Sequence, residues 1–193
     1  TSIPVEEREN FSRKISLVER KSKEINDLVE RLGVLARAEA GSIGAFDPAD
    51  VKYCFDRIQE RYSSDKLGVE IDLTADVNTV AMPAETFQSI VASLIDNAYS
   101  HGGEDTNVII KVTNTQEDVP IVHIELSDDG KGIKEEYIHK IFEPFFTTAR
   151  DTGSRGLGLA IVKALIEAHG GSIKLMSLGH GTSFQITLPS RPS

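Results

Sequence analysis

The sequence predicts a two-layer α/β sandwich, a mixed sheet with helices on one face, preceded by a long amphipathic helix. Three observations predict it. Apolar residues recur at spacings of three, four or seven over residues 5 to 40, while the other faces are charged. Beyond residue 45, segments with a period of two interleave with segments of helical period. Their order keeps no strict βαβ rhythm, which favours helices gathered on one face of a mixed sheet.

The elements follow in chain order. The first helix carries Phe11, Ile15, Val18, Ile25, Leu28, Leu32 and Leu35 on one narrow stripe, with Asp27 and Arg31 paired one turn apart outside it. A helix this long cannot bury such a stripe by itself. It calls for a partner helix in a coiled coil or bundle, or for packing on the rest of the chain. "AGSIGAFDPAD" then breaks the helix, so the boundary falls between Gly41 and Phe46, separating a helical part (1–41) from a domain (45–193). Asp47 followed by Pro48 reads as a cap and a first-turn proline opening a helix over "ADVKYCFDRIQERY". "VEIDLT" alternates as a strand. The next helix places Phe87, Ile90, Val91, Leu94, Ile95 and Ala98 on one face. "NVIIKVTN" and "VPIVHIELSD" read as strands joined near "TQED", and "KEEYIHKI" as a short helix. "GLGLAIVKALIEAHGG" is a helix with glycines at its entrance and exit, and "GSIKLMS" and "TSFQITLP" close the chain as strands.

Composition narrows the function. A net charge of −9 argues against nucleic acid, whose phosphates need a basic face. The single Cys54 has no partner for an internal disulfide and suits a reducing cytoplasm, where its apolar helix makes it a small core residue. No apolar run approaches the roughly 20 residues that span a bilayer, so any membrane association is expected through a region upstream of "TSIPVEEREN".

Two glycine clusters carry the chemistry. "SDDGKGI" (127–133) sets two acids ahead of glycines 130 and 132. Such a stretch serves as a plain turn, or lets a planar ligand lie on bare backbone while a carboxylate accepts a hydrogen bond from its edge. In "GSRGLGLAIV" (153–162), glycines 153, 156 and 158 precede an apolar helix, so free N–H groups and a helix dipole converge on an anion, phosphate above all. No Gly-Lys-Ser/Thr follows, so this is not a Walker loop, and no βαβ unit encloses it as a dinucleotide fingerprint requires.

Taken with "LIDNA" on the preceding helix and "IFEPFF" between the clusters, these segments resemble, in this order, the asparagine, glycine, phenylalanine and second glycine boxes of sensor histidine kinases of two-component systems. The resemblance covers roughly residues 45 to 190, and "EINDLVERLGVLARAEAG" is similar to the second helix of that family's dimerisation and phosphotransfer hairpin. It implies a Bergerat-type (GHKL) sandwich that binds ATP or ADP with Mg2+ beneath a lid over residues 143–155 of low local stability. By match to the family, Asp128 accepts from the adenine amino group, Gly130 and Gly132 admit the purine, and Ile133 belongs to the same wall. Asp129 is read as a turn residue. Asn97 is the magnesium ligand, a neutral oxygen suited to a hard cation. Arg150 and Arg155 either neutralise phosphate or remain solvated lid charges, and His101 either touches the ligand or serves the helix end. Gly156, Leu157, Gly158 and Leu159 form the phosphate loop, Phe142 with Phe145 and Phe146 anchors the lid, and Thr182 lies near the phosphates.

The chain departs from the family at Ser93, where the water-activating glutamate of gyrase-type ATPases would stand, and at Ser100, where a lysine or arginine is common. None of the histidines at 101, 123, 139, 169 or 180 lies in an acceptor motif, so the resemblance puts the acceptor upstream and assigns no catalytic side chain within the chain. The implied activity is transfer of the γ-phosphoryl group to that histidine, with relay to a response-regulator receiver domain and homodimerisation through the first helix; this piece alone is expected to be inactive. Rival readings are a regulatory module that holds nucleotide without turnover, a hydrolytic ATPase and an anti-sigma serine kinase.

Overall fold

The computed structural model describes residues 5–42, 44–63, 68–73, 79–103, 105–115, 120–149, 155–176 and 180–190. Helix α1 (Val5–Glu39) leads into β1 (Ala49–Asp50) and α2 (Val51–Tyr62), then β2 (Gly68–Leu73), β3 (Thr79–Val80) and α3 (Ala84–Gly102). Strands β4 (Asn107–Asn114) and β5 (Ile121–Asp128), a 3-10 turn (Glu135–Tyr137), α4 (Gly158–Ala168), β6 (Ser172–Leu175) and β7 (Thr182–Pro189) complete it. The sheet has the order β2-β4-β5-β7-β6, with β2 parallel to β4 and every other pair antiparallel. The mixed sandwich expected from the sequence is thus the fold observed.

Strand alternation decides which side is the core. The register aligns Ile110, Leu126 and Phe184 in one row and Val112, Ile124, Ile186 and Ile173 in the next, all buried. The helices cover that face with Phe55 and Ile58 of α2, Phe87, Leu94 and Ile95 of α3, and Val162 and Ile166 of α4. The opposite face carries Lys111, Glu125, Gln185 and Lys174 across the strands, which keeps it in water. Because inward residues on β5 are 122, 124 and 126, the next inward position, at the strand's end, is Asp128. The same parity on β7 sends Thr182 inward beside it.

Two elements differ from the sequence reading. Asp47 does not cap α2: Ala49 and Asp50 pair antiparallel with Val80 and Thr79, which delays the helix to Val51. Asp50 is the cap, its Oδ1 accepting from Tyr53 N–H at 2.7 Å. "KEEYIHKI" yields one 3-10 turn without a side-chain cap rather than a regular helix. The residues at the centre of "TQED" lie outside the described residues.

Helix α1 divides its stripe. Leu35 and Ala38 are buried with Leu157 and Ala164, and Leu28 packs beside them against the outer side of α4. Phe11, Val18 and Ile25 remain 67%, 63% and 58% exposed. One end of the stripe thus packs on the rest of the chain, and the other end is exposed in it. Among the described residues, no helix is long and apolar enough to cross a membrane.

Candidate functional site

The inward end of β5 meets three other segments. Asp128 Oδ1 accepts from the N–H of Gly130 at 2.9 Å and of Thr182 at 3.2 Å, leaving Oδ2 outside both bonds. Burial pushes this carboxyl above the usual carboxylate range, while the Gly130 and Thr182 donors pull against that rise. A half-buried acid whose ionised form is held by donors is poised to accept from a ligand. Its neighbour has a different task. Asp129 accepts from Asn107 N at 2.7 Å and from Asn107 Nδ2 at 2.8 Å, pinning the turn to the start of β4, and these bonds lower its pKa.

The glycines are demanded by close approach. A Cβ on Gly130 would lie 2.5 Å from Gly102 Cα and 2.9 Å from Asp128 Oδ1, so the turn and the end of α3 fit only without it. Gly181 has φ 76°, its N–H bonds Gly130 O at 2.8 Å, and a Cβ there would run into the Asp128 carbonyl oxygen. Gly132 also has positive φ, at 71°, and Ile133 packs on the main core. Thus β5, its turn, the end of α3 and the start of β7 form one bare-backbone platform around a carboxylate.

The second cluster lies against α3. A Cβ on Gly158 would sit 3.4 Å from Ser93 Oγ and 3.8 Å from Asn97 Nδ2, so the first turn of α4 faces the flank of α3 that carries these residues. Asn97 Nδ2 is buried and makes no hydrogen bond. A buried amide group in that condition costs free energy unless an acceptor reaches it. Leu159 packs on the main core, whereas Leu157, 1% exposed, is buried under α1. Leu157 therefore contributes backbone here rather than a side-chain wall. Arg155 Nη2 lies 3.3 Å from Glu24 Oε2 of α1. A crevice of about 1150 Å³ opens between α1, α2, α3 and the entrance of α4, and Ser93, Asn97, Ser100, Arg155 and Gly158 are among the residues that line it.

The remaining candidates are placed as follows. Phe142 meets Phe184 edge-on at 6.2 Å and Phe146 meets Tyr137 at 5.5 Å, so both rings pack inward. Phe145 is 52% exposed, and its N–H bonds Gly156 O at 2.8 Å, fastening the two ends of the expected lid together. His101 is exposed at the last turn of α3. Arg150, with residues 151–154, lies outside the described residues. The Asp129–Asn107 and Arg155–Glu24 contacts were missed from the sequence because they join residues 22 and 131 positions apart, beyond any local pattern.

A family profile described as "Histidine kinase-, DNA gyrase B-, and HSP90-like ATPase" matches residues 83–192. The chain belongs to that family. Its first glycine cluster, its second and Asn97 all fall within the matched region. The chain is 34% identical over 187 residues to the signal transduction histidine-protein kinase/phosphatase MprB of a Mycobacterium species, covering 92% of this chain and 35% of MprB. It is 31% identical over 196 residues to the sensor protein SrrB of Staphylococcus aureus, covering 96% of the chain and 33% of SrrB. The chain thus spans about a third of the length of these relatives. The solved histidine kinase AdeS of Acinetobacter baumannii has the same fold at a TM-score of 0.65, with 22% identity, all of this chain covered and 88% of AdeS. The resemblance to sensor histidine kinases read from the four boxes is borne out by these relatives.

Proposed function

We propose that this chain is the ATP-binding catalytic part of a sensor histidine kinase, with α1 as the second helix of a dimerisation and phosphotransfer hairpin (1–41) and residues 45–193 as the catalytic domain. One observation carries the reading: a half-buried carboxylate, Asp128, set on glycine backbone against the C-terminal end of α3, together with an orphaned Asn97 amide on that same helix facing the first turn of α4. That pair of groups suits an adenine at the carboxylate and phosphates at the helix entrance. Asp128 Oδ2 would accept from the purine's exocyclic amine, while Gly130 lets the ring lie against the turn. At α4 the free N–H groups and helix dipole would hold phosphate oxygens.

Asn97 fits a magnesium ion as well. Its Nδ2 would donate to a phosphate oxygen and its Oδ1 would face the cation. Among the described residues no group of three or more His, Cys, Asp or Glu stands together to hold a metal, so the nucleotide's own oxygens would supply the other ligands. When bound, magnesium supplies charge neutralisation to the phosphates. The chain's residues contribute position. The base is fixed at Asp128, the phosphates at Gly156 and Gly158, and the γ-phosphoryl group is thereby presented in line to an imidazole nitrogen. The N–P bond forms as the bond to the bridging oxygen breaks, and ADP leaves with that electron pair. The acceptor histidine is assigned to an upstream helix and the next acceptor to a receiver domain. Ser93 offers no general base to activate water, which disfavours hydrolysis.

Calorimetric titration with ADP and ATP, with and without magnesium, tests the site. Wild type should bind both, and Asn97→Ala should remove most of the gain that magnesium gives. An equal magnesium gain in both proteins would refute the assignment of Asn97.

A further inference from the structure

Helix α1 touches the phosphate loop at two points. Arg155 is paired with Glu24 at 3.3 Å, and Leu157, two residues on, is buried against Leu35 and Ala38 of the same helix. Between them stands Gly156, at φ 67°, whose absent Cβ would collide with the Phe146 carbonyl oxygen. The entrance to α4 is therefore wedged between α1 and the phenylalanine segment, and any shift of α1 is felt there.

The ion pair itself is built for exchange. Glu24 Oε2 also accepts from Lys21 Nζ at 2.8 Å, and Arg20 Nε lies 3.9 Å from Oε1. Three cations share one carboxylate, and the Lys21 bond is the first cause of its lowered pKa. When Arg155 leaves, Glu24 keeps two counter-charges. Arg155 gains, because a phosphate offers its planar fork more charge and more acceptor oxygens than one shared carboxylate. We infer that helix α1 regulates the phosphate site by competition: Glu24 holds Arg155, and a nucleotide phosphate must take Arg155 from it. The inference rests on the reading of the α4 entrance as a phosphate site.

Coupling of this kind is reciprocal: phosphate binding loosens the Glu24 contact by the same factor that the contact weakens phosphate binding. Both side chains are about one-third exposed, 33% and 34%, so water and salt screen the pair. The expected competition is about 2- to 5-fold in affinity, in the range of partly exposed pairs.

Titration calorimetry of the whole chain with Mg-ADP, Mg-ATP and adenosine, at low salt, tests this on four proteins. Glu24→Gln should tighten both nucleotides about 2- to 5-fold, and Arg155→Gln should weaken them. The double variant should match Arg155→Gln, since the competitor has nothing left to withhold. Adenosine, which lacks phosphate, should bind all four alike. Competition is overturned if Glu24→Gln leaves nucleotide affinity unchanged or lowers it, or if adenosine shifts equally. Absence of nucleotide binding by the wild type would instead overturn the phosphate-site reading beneath it.

Discussion

Replacing Asp128 by asparagine changes one atom and separates fold from recognition. The carboxylate gives Oδ1 to the N–H groups of Gly130 and Thr182, at 2.9 and 3.2 Å. An asparagine keeps both bonds through its carbonyl oxygen, so the turn survives. The other oxygen becomes an amino group, and the acceptor proposed for the adenine amine turns into a donor facing a donor. Loss of a hydrogen bond to a charged acceptor costs about 1.5–3 kcal/mol, or roughly 10- to 150-fold in Kd. Stability should move the other way. Burial raises this pKa, so the folded chain holds the proton more tightly than the unfolded one. The resulting penalty is absent at acid pH, grows as pH rises from the ordinary carboxylate value through the raised one and is full above it. Asp128→Asn removes it, so the variant should be as stable as wild type at neutral pH, or more so. Calorimetry with ADP and denaturant unfolding on the same samples measure both effects. Unchanged ADP affinity with the fold intact would refute the role given to Asp128. Weaker binding together with a collapsed midpoint would show that the residue acts through the fold instead.

Other expectations follow from the same geometry. Nucleotide affinity should fall on acidification from a higher pH than an ordinary carboxylate gives, and carboxyl NMR should show Asp128 protonating before Asp129, whose pKa its Asn107 bonds lower. Gly181→Ala should cost about 1–2 kcal/mol for its left-handed backbone and also weaken ADP binding, since the new Cβ displaces the Asp128 carbonyl; unaltered binding would contradict that packing. Leu157→Ala should lower unfolding free energy by about 2–5 kcal/mol and speed amide exchange in the last turns of α1, read by mass spectrometry. The Cys54 thiol, pushed up to about 11 by burial, should resist alkylation at pH 8 until the protein is unfolded.

Most of the sandwich was legible because each element repeats at its own period. Val108, Ile110 and Val112 alternate on β4 as their burial does, and Phe87, Ile90, Val91, Leu94 and Ile95 mark the buried face of α3. The β1–β3 pairing was not, since two-residue strands leave no period to detect, and with it went the cap of α2. The stripe on α1 looks the same whether it faces α4 or another helix, so only packing could divide Leu35 from Phe11. For the site, the glycine clusters and Asn97 stood out by residue type and spacing. The Leu157 side chain under α1 and the Glu24 carboxylate on Arg155 depend on long-range placement that no segment encodes alone.

The central claim, a phosphoryl donor site for a histidine, is tested most directly with γ-labelled ATP. This chain is incubated alone, and again joined to the acceptor-bearing hairpin helix that is proposed to precede it. The account predicts no label on the chain alone and acid-labile, base-stable label on a histidine of the joined protein, lost when Asp128 is changed to asparagine. Acid-stable label on serine or threonine, rapid phosphate release by the chain alone, or nucleotide binding without label in either protein would contradict it.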